Sequence, residues 1–249
     1  MFVAATSRCF HNLPLDAALS RLVDLQFTAV EIMIHETDGH IKPAEVATDL
    51  EQVVQLCRQT HRLTPIAFSF DTNAPEEEAY RQFSACCKLA KATKVIAITV
   101  RSSELGTPFN GEVERLRKLV SIAAPEGVVV GLQTETNRIS QDPGTITTLC
   151  DNVKGLGITL DPSQFILGQQ SEINYDKLIK DVIHVRLRDT SKEEFQIRVG
   201  QGEVEYGRLV TLLSRAKYNR ALCVDIVPVP DIDQNAEMRK IRLLLESLL

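Results

Sequence analysis

Residues 182–189 read VIHVRLRD, and this stretch indicates a β-strand of an enclosed parallel sheet. Alternate positions carry the polar side chains His184, Arg186 and Arg188, so one face of the strand is polar. The other face is apolar, and Asp189 ends the run. Parallel strands that are covered on both faces have near-continuous apolar sequences. The stretch therefore predicts a buried strand whose charged side chains point into an enclosed interior.

Seven further apolar runs recur along the chain, separated by segments of helical period. They are FVAATS (2–7), AVEIMIH (29–35), LTPIAFSFD (63–71), VIAITVR (95–101), VVVGLQTE (128–135), LGITLDP (156–162) and ALCVDIV (221–227). About eight strand–helix units predict an α/β fold, the (β/α)8 TIM barrel, as a single domain over residues 1–249. An open doubly wound sheet is the alternative. It would need a glycine-rich turn after the first run, where TSRCFHNLP (6–14) has none.

The segments between the runs place apolar residues three or four positions apart, most clearly in 112–124 and 205–217. This spacing gives each predicted helix one apolar stripe. Asn110 and Asp142 precede such segments and are predicted to cap them. The segment around 174–181 has the least regular pattern.

Composition excludes several classes of protein. Hydrophobic residues are 44% and charged residues 24% of the 249 residues, which excludes wholesale disorder. The 28 basic and 33 acidic residues give a net charge of −5, which argues against a nucleic-acid partner. No apolar run is long enough to span a bilayer, and no secretory leader is visible, so we expect a cytoplasmic protein with no membrane partner. The six cysteines have no CxxC spacing and are predicted to be buried and reduced.

Polar residues at the carboxyl ends of the predicted strands are the candidate site, because barrels carry their function there. Glu135, Asp161, Arg186 and Asp225 come from four consecutive strands, at comparable heights and with inward parity. A charged group inside a barrel is costly unless it is paired or binds a metal. Each residue alone fits a structural ion pair, but the four together indicate a site. Further candidates for ligand contact are Glu31, His35, Arg101, Asn137 and Arg188.

Six short motifs occur in a fixed order along essentially the whole chain. They are AVEIM at Glu31, QTETN at Glu135 and Asn137, DPSQ at 161–164, HVRLRD at 184–189, a glycine motif with Gly200, Gly202 and Glu205, and the strand end at Asp225. Their order and spacing resemble the xylose isomerase-like TIM barrels, which include sugar and sugar-phosphate isomerases and epimerases and also endonuclease IV. The resemblance implies a role in carbohydrate metabolism.

The resemblance also implies a divalent metal (Mn, Zn or Mg) held by Glu135, Asp161, Asp225 and the residue at position 186. That residue is Arg186, whose guanidinium has no lone pair and repels a cation. We therefore expect a weakened metal site, and prefer a site with no metal, in which Arg186 pairs with Glu135 or Asp161. The resemblance also makes Gln164 a candidate for ligand contact, because it stands where the family has a second-sphere or substrate-binding histidine; it can form hydrogen bonds but cannot titrate.

Two functions remain open at this point. In the first, the protein is an isomerase or epimerase in which Glu135 and Asp225 move a proton next to a carbonyl. Arg186 would then stabilise the enediolate oxygen, while Arg101 or Arg188 holds a phosphate or carboxylate. In the second, the barrel is catalytically altered and binds a small anionic ligand, with Arg186 replacing the usual metal. An endonuclease IV-like activity is disfavoured, because the chain has only five histidines and no basic surplus.

Both functions predict a small polar or anionic sugar-like ligand at the carboxyl end of the barrel. The sequence leaves the identity of this ligand and the oligomeric state open. One pocket is predicted to be lined by Glu31, Glu135, Asp161, Gln164, Arg186, Arg188 and Asp225.

Overall fold

A computed structural model describes residues 1–168 and 173–249, which form one closed barrel of eight parallel strands. Each strand pairs with the next along the chain, and the last pairs with the first. The predicted (β/α)8 TIM barrel is confirmed. The strands are β1 (Phe2–Thr6), β2 (Ala29–His35), β3 (Thr64–Asp71), β4 (Ala97–Val100), β5 (Val129–Gln133), β6 (Leu156–Leu160), β7 (Val182–Leu187) and β8 (Ala221–Val224).

The helices cover the outside of the barrel, and their apolar stripes pack against the strands. They are α1 (Leu15–Asp24), α2 (Pro43–Thr48), α3 (Leu50–Arg58), α4 (Glu76–Thr93), α5 (Phe109–Ala123), α6 (Pro143–Asn152), α7 (Tyr206–Arg215) and α8 (Gln234–Glu246). The irregular segment before β7 forms a 3₁₀ helix, Asp176–Asp181, in which only the adjacent Leu178 and Ile179 are buried. Two adjacent apolar residues do not make the stripe of an α-helix.

The two predicted helix caps have different outcomes. Asp142 caps α6 as predicted, because its carboxylate accepts a hydrogen bond from the backbone N–H of Thr145 at 2.6 Å. The prediction for Asn110 is wrong, because α5 begins at Phe109, directly after Pro108. Pro108 itself occupies the N-cap, with φ fixed at −55°, so the helix starts two residues before the position that a cap at Asn110 predicts.

The inward-facing side chains of the barrel change from apolar to polar along its axis. Ala4, Ala29, Ala221 and Cys223 form a small apolar cluster that fills the amino-terminal end. Inward positions two residues further along the strands carry polar side chains, for example Glu31. Small residues therefore close the bottom of the barrel, and the charged residues are collected toward its carboxyl end.

Two further sequence predictions concern cysteines and membranes. The six cysteines all lie within the described residues and form no disulfides, and five of them are buried as predicted; Cys150 is half-buried. The helices of the described ranges are too short or too polar to span a bilayer.

Candidate functional site

The lower polar layer is a buried ion pair between opposite parts of the barrel. Arg186 on β7 is 1% exposed, and its Nε and Nη2 donate to the two oxygens of Glu31 on β2 at 3.0 and 2.5 Å. Its Nη1 donates to the side-chain oxygen of Gln133 on β5 at 2.9 Å. His184 is buried and faces inward as the strand parity predicts, and its Nε2 lies 3.0 Å from Glu31 Oε2. Strands β2, β5 and β7 are thus joined through one guanidinium.

The charge state of Glu31 follows from this pairing. Burial raises the pKa of Glu31, but the positive charge of Arg186 and the contact with His184 outweigh it, so the pKa lies well below its usual range. Glu31 is therefore an anion whose charge is balanced by Arg186. The ion pair occupies the centre of the barrel.

The partner predicted for Arg186 is wrong. We expected Glu135 or Asp161, and the structure pairs Arg186 with Glu31. Glu135 lies two residues beyond the end of β5 at Gln133, so Gln133 faces the guanidinium instead. The height of each side chain along its strand decides which charges meet.

A second cluster lies above the first and joins β6, β7 and β8. Arg188 Nη2 donates to Asp161 Oδ2 at 3.0 Å and to Asp225 Oδ2 at 2.6 Å. Arg8 donates from Nε and Nη2 to the two oxygens of Asp225 at 3.1 and 2.5 Å. The Thr6 hydroxyl donates to Asp225 at 2.8 Å. Asp225 is thus surrounded by two guanidinium groups and one hydroxyl.

Asp225 is held in its ionised form by these neighbours. Burial raises the pKa of its carboxyl, but the charges of Arg8, Arg188 and Arg186 and the hydrogen bond from Arg8 outweigh it, so the pKa lies far below its usual range. Both oxygens of Asp161 also have donors, since Ser163 bonds to Oδ1 through its backbone N–H and its hydroxyl. The two carboxylates are satisfied within the protein.

Glu135 belongs to a third cluster, at the mouth of β3, β4 and β5. Arg101 donates from Nε to Glu135 Oε2 at 2.9 Å and from Nη2 to Oε1. Its Nη1 donates to Asp71 at 3.2 Å, and Arg138 Nε lies 3.4 Å from Glu135. The side chain of Arg101 is 35% exposed, unlike the fully buried Arg186. This cluster therefore faces solvent, whereas the first cluster is fully enclosed.

Two of the predicted ligand contacts hold loops in place. Gln164 accepts a hydrogen bond from the backbone N–H of Thr136 at 2.8 Å through its side-chain oxygen. Asn137 has a left-handed backbone (φ 63°), which asparagine tolerates, and its N–H donates to Gln141. Both residues order the segment that follows β5.

His35, at the end of β2, is also used internally. Its Nε2 lies 2.7 Å from the Ser69 hydroxyl, and its Nδ1 lies 2.9 Å from Asp38. The hydrogen bond from His35 lowers the pKa of Asp38 to about 2, against the opposing effect of burial. His35 therefore links β2 to β3 and to the loop after β2.

The glycine motif fixes the loop between β7 and α7. Oδ2 of Asp189 accepts the backbone N–H groups of Gly200 at 2.6 Å and of Gly202 at 3.1 Å. A Cβ built on Gly202 would lie 2.0 Å from Asp189 Oδ1, so only glycine permits this approach. The motif thus anchors the loop to the end of β7.

Arg8 and Arg138 were not among the residues predicted for the site. Arg8 lies on the 3₁₀ helix Ser7–Phe10, two positions after Thr6 at the end of β1. The parity that selected Arg188 also points to Arg8, because a strand's inward face continues into the residues that follow it. Arg138 lies in an irregular loop, and no periodicity in the sequence indicates where it points.

Two cavities open around these clusters. A cleft of about 700 Å³ lies between the ends of β3 and β4 and the helices α4 and α5, and it is lined in part by Asp71, Arg101 and Arg138. A smaller cavity of about 330 Å³ lies on the side of β6 and β7. Neither cavity is lined by Glu31, Glu135, Asp161, Gln164, Arg186, Arg188 or Asp225.

The chain belongs to the xylose isomerase-like TIM barrel family, because the family's model matches residues 19–245. This confirms the resemblance that the sequence motifs indicated. No curated protein matches the chain in sequence.

Solved structures of the same fold share little sequence with this chain. The D-psicose 3-epimerase of Clostridium cellulolyticum H10, solved with D-tagatose, is 12% identical, with a TM-score of 0.76 and coverage of 100% of this chain and 99% of its own. The 3-keto-D-glucoside 4-epimerase of E. coli is 15% identical, with a TM-score of 0.75 and coverage of 99% of both chains. The IOLI protein, solved with a bound zinc atom, is 17% identical, with a TM-score of 0.72 and coverage of 100% and 99%. At these identities the similarity establishes the fold.

The side chains at the four positions that the resemblance implies as metal ligands do not fit a divalent metal. Arg101 holds both oxygens of Glu135, and Arg188 joins Asp161 to Asp225. The fourth position is a guanidinium, which offers no lone pair. An incoming cation would have to displace several charged donors that already neutralise the carboxylates.

A separate group of ligand-type side chains lies lower in the barrel. Ligand atoms of Glu31, His184 and Cys223 lie within 4.8 Å of one another. Both oxygens of Glu31 already accept from Arg186, and burial raises the pKa of the Cys223 thiol well above its usual value. Metals bind the thiolate, so this group does not fit a metal either.

Proposed function

We propose that this protein binds a small polar or anionic sugar-like ligand at the carboxyl end of its barrel without a metal, and that Arg186 replaces the metal electrostatically. The membership in the xylose isomerase-like family and the similarity to two sugar epimerases support the sugar-like ligand. The observation that carries the proposal is the bidentate pair of Arg186 with Glu31 at a family metal-ligand position. Arg186 is fully buried, so its permanent positive charge acts on the carboxylates of Glu31 and Asp225, in place of a metal, rather than directly on the ligand.

The predicted acid and base groups support binding more than proton transfer. A general base works best when its pKa lies near the working pH. Asp225 has a strongly lowered pKa and is held by Arg8 and Arg188, so it is a weak base. Glu135 is held at both oxygens by Arg101. Neither carboxylate lines the cleft in this arrangement.

An isomerase or epimerase is the second candidate, and the named activities of the two structural neighbours favour it. We expect no exchange of deuterium into the carbon next to the carbonyl when the protein is incubated in D2O with D-tagatose or a 3-keto sugar, because neither carboxylate is positioned as a base. NMR of the recovered sugar measures this. Exchange that disappears in Asp225→Asn or Glu135→Gln would favour the isomerase over the proposed binding function.

Calorimetric titration with Mn²⁺, Zn²⁺ and Mg²⁺ tests whether the barrel works without a metal. We expect no tight stoichiometric binding by the wild type, because guanidinium groups neutralise the carboxylates. The variant Arg186→His restores a ligand at this position and should gain binding. Arg117→His is the matched control and should gain none, because within the described part of the chain this exposed arginine pairs with Glu114 and a backbone carbonyl alone.

The outcomes of this titration are distinct. Tight binding by the wild type would overturn the proposal. Binding gained by Arg186→His and not by Arg117→His supports it. A folded Arg186→His protein that still binds no metal would contradict the proposal that Arg186 replaces the metal. The arginines that hold the other carboxylates would then be the groups that exclude it.

A further inference from the structure

The polar cleft between α4 and α5 lies beside the axis of the barrel. Its walls come from the ends of β3 and β4, the first turns of α4 and α5, and Arg138 after β5. Arg186 and Arg188 on the axis are only 1% and 3% exposed, so the first two clusters leave little accessible surface there. A cleft of about 700 Å³ is within the usual size range of small-molecule sites.

We propose that this off-axis cleft is the binding site, and that it takes an uncharged, hydroxyl-rich ligand rather than a phosphorylated one. The inference rests on the proposed function, since it assumes that the barrel binds a sugar-like ligand. It adds a location that the family motifs do not indicate, and it selects one charge class from the two that the sequence left open.

The cations of the cleft are held in fixed positions. Arg115 donates from Nε and Nη2 to the buried carboxylate of Glu112, and from Nη2 to the backbone oxygen of Arg101 at 2.8 Å. Arg138 donates from Nη1 to the backbone oxygen of Ser102 at 2.5 Å. The bonds of Arg115 within the described residues leave its Nη1 without a protein partner. Rigid donors of this kind lose little entropy when a ligand binds.

The charges of the cleft balance. Three arginines line it, and three carboxylates face the same space. A phosphate group would require a surplus of positive charge, as at sites built from clustered arginines. A hydroxyl group both donates and accepts, so a polyol satisfies guanidinium and carboxylate groups together. The charged lining residues are Arg101, Arg115, Arg138, Asp71, Glu76 and Glu104.

Two aromatic residues give the cleft an apolar wall. Phe70 is held by an edge-to-face contact with Phe83, with ring centroids 5.2 Å apart. The Tyr80 hydroxyl donates to Glu76 at 3.1 Å, which orients the ring and the carboxylate together. Sites that combine such apolar walls with a few fixed polar groups are typical for small ligands. The carbon faces of a sugar ring would pack here.

Arg101 connects the cleft to Glu135, the predicted catalytic residue. Arg101 lines the cleft and binds both Glu135 and Asp71. A ligand that contacts Arg101 would therefore compete with or reorient the bonds of Glu135. This places the ligand beside the exposed third cluster rather than above Arg186.

Side chains of increasing size at Gly111 test whether the ligand binds in the cleft. Gly111 lines the cleft in the first turn of α5, and a Cβ built there meets no atom within 4 Å, so larger side chains extend into open space. Gly111→Ala should keep the site open, whereas Gly111→Phe should fill it. Gly207→Phe is the matched control, because Gly207 lies in the first turn of α7, meets equally open space and does not line the cleft.

The measurement is equilibrium binding of D-tagatose, D-fructose and xylitol, and of D-fructose 6-phosphate, to the four proteins, with thermal unfolding as a check on folding. The wild type, Gly111→Ala and Gly207→Phe should bind at least one uncharged probe equally and more tightly than the phosphate ester. Gly111→Phe should bind it at least about tenfold more weakly, a loss of about 1.4 kcal/mol.

Three results would overturn the inference. They are unchanged affinity in a folded Gly111→Phe protein, tighter binding of the phosphate ester, and no binding of any uncharged probe by the wild type. The metal titration is independent of all three. If the wild type binds a metal tightly and Gly111→Phe loses sugar binding, the metal-free function is refuted and the cleft is retained. If the wild type binds no metal and Gly111→Phe binds the sugar as the wild type does, only the cleft is refuted.

Discussion

Replacing Arg186 by Met is expected to lower the free energy of unfolding by about 3–5 kcal/mol, because it leaves a buried carboxylate without its counter-ion. Glu31 is fully buried, and among the described residues its side chain forms hydrogen bonds only with Arg186 and His184. Met fills much of the volume of the arginine side chain, so the loss reports the charge more than a cavity. Urea unfolding at pH 7 measures it.

Two comparisons separate this effect from a general loss of packing. Arg117→Met removes an arginine that is half exposed, and it should change stability by less than about 1 kcal/mol. The double variant Glu31→Leu with Arg186→Met removes both charges and should recover part of the loss. A loss below about 1 kcal/mol for Arg186→Met alone would mean that water reaches Glu31, and it would contradict the enclosed ion pair described above.

The second large effect is a dependence of stability on acid pH that is carried by Asp225 and Glu31. Both carboxyls have pKa values well below the usual range in the folded protein, because guanidinium groups outweigh the opposing effect of burial. In the unfolded chain they titrate near pH 4. Below that pH the unfolded state takes up protons that the folded state does not, so the stabilisation is complete above about pH 4 and is lost as the pH falls. Each group contributes a slope of about 1.4 kcal/mol per pH unit.

Asp225→Asn isolates one of these contributions. The amide cannot ionise, so Arg8 and Arg188 lose a charged partner and the variant is less stable than the wild type at pH 7. The difference should narrow as the pH is lowered from 4 to 2.5, because only the wild type loses the contribution of this carboxylate. Glu114→Gln, at a 72% exposed side chain, should follow the wild-type curve. Parallel curves for Asp225→Asn and the wild type would contradict the lowered pKa of Asp225.

The ion pairs also explain why the barrel tolerates so much buried charge. The carboxylates on the axis each face at least one arginine, and these arginines come from β7 and from the residues that directly follow β1 and β7. A divalent metal would gather the same carboxylates with two charges on one atom. Several guanidinium groups gather them with one charge each, through directional hydrogen bonds that fix the geometry. The barrel mouth is thereby held rigid, and the ligand cleft proposed beside it gains a fixed wall at Arg101.

The barrel itself was predictable from local sequence. Eight apolar runs alternate with segments that have one apolar stripe each. The runs specify parallel strands, which are covered on both faces, and the stripes specify outer helices, which bury one face against those strands. Strand parity also predicted that His184, Arg186 and Arg188 point inward. That inference needs only the alternation of side chains along a strand.

The partners of these charges were not predictable in the same way. Arg186 meets Glu31 from β2 rather than Glu135, because partner choice depends on how far each strand is shifted along the barrel axis. Likewise Arg8 joins Asp225, 217 positions away in the chain, only because the barrel closes between β1 and β8. The sequence by itself determined the architecture and the inward face of each strand. Only the tertiary structure decided which charges neutralise one another. The shift of neighbouring strands along the barrel axis and the pairing of β1 with β8 are properties of the whole sheet, and the sequence of a single strand does not determine them.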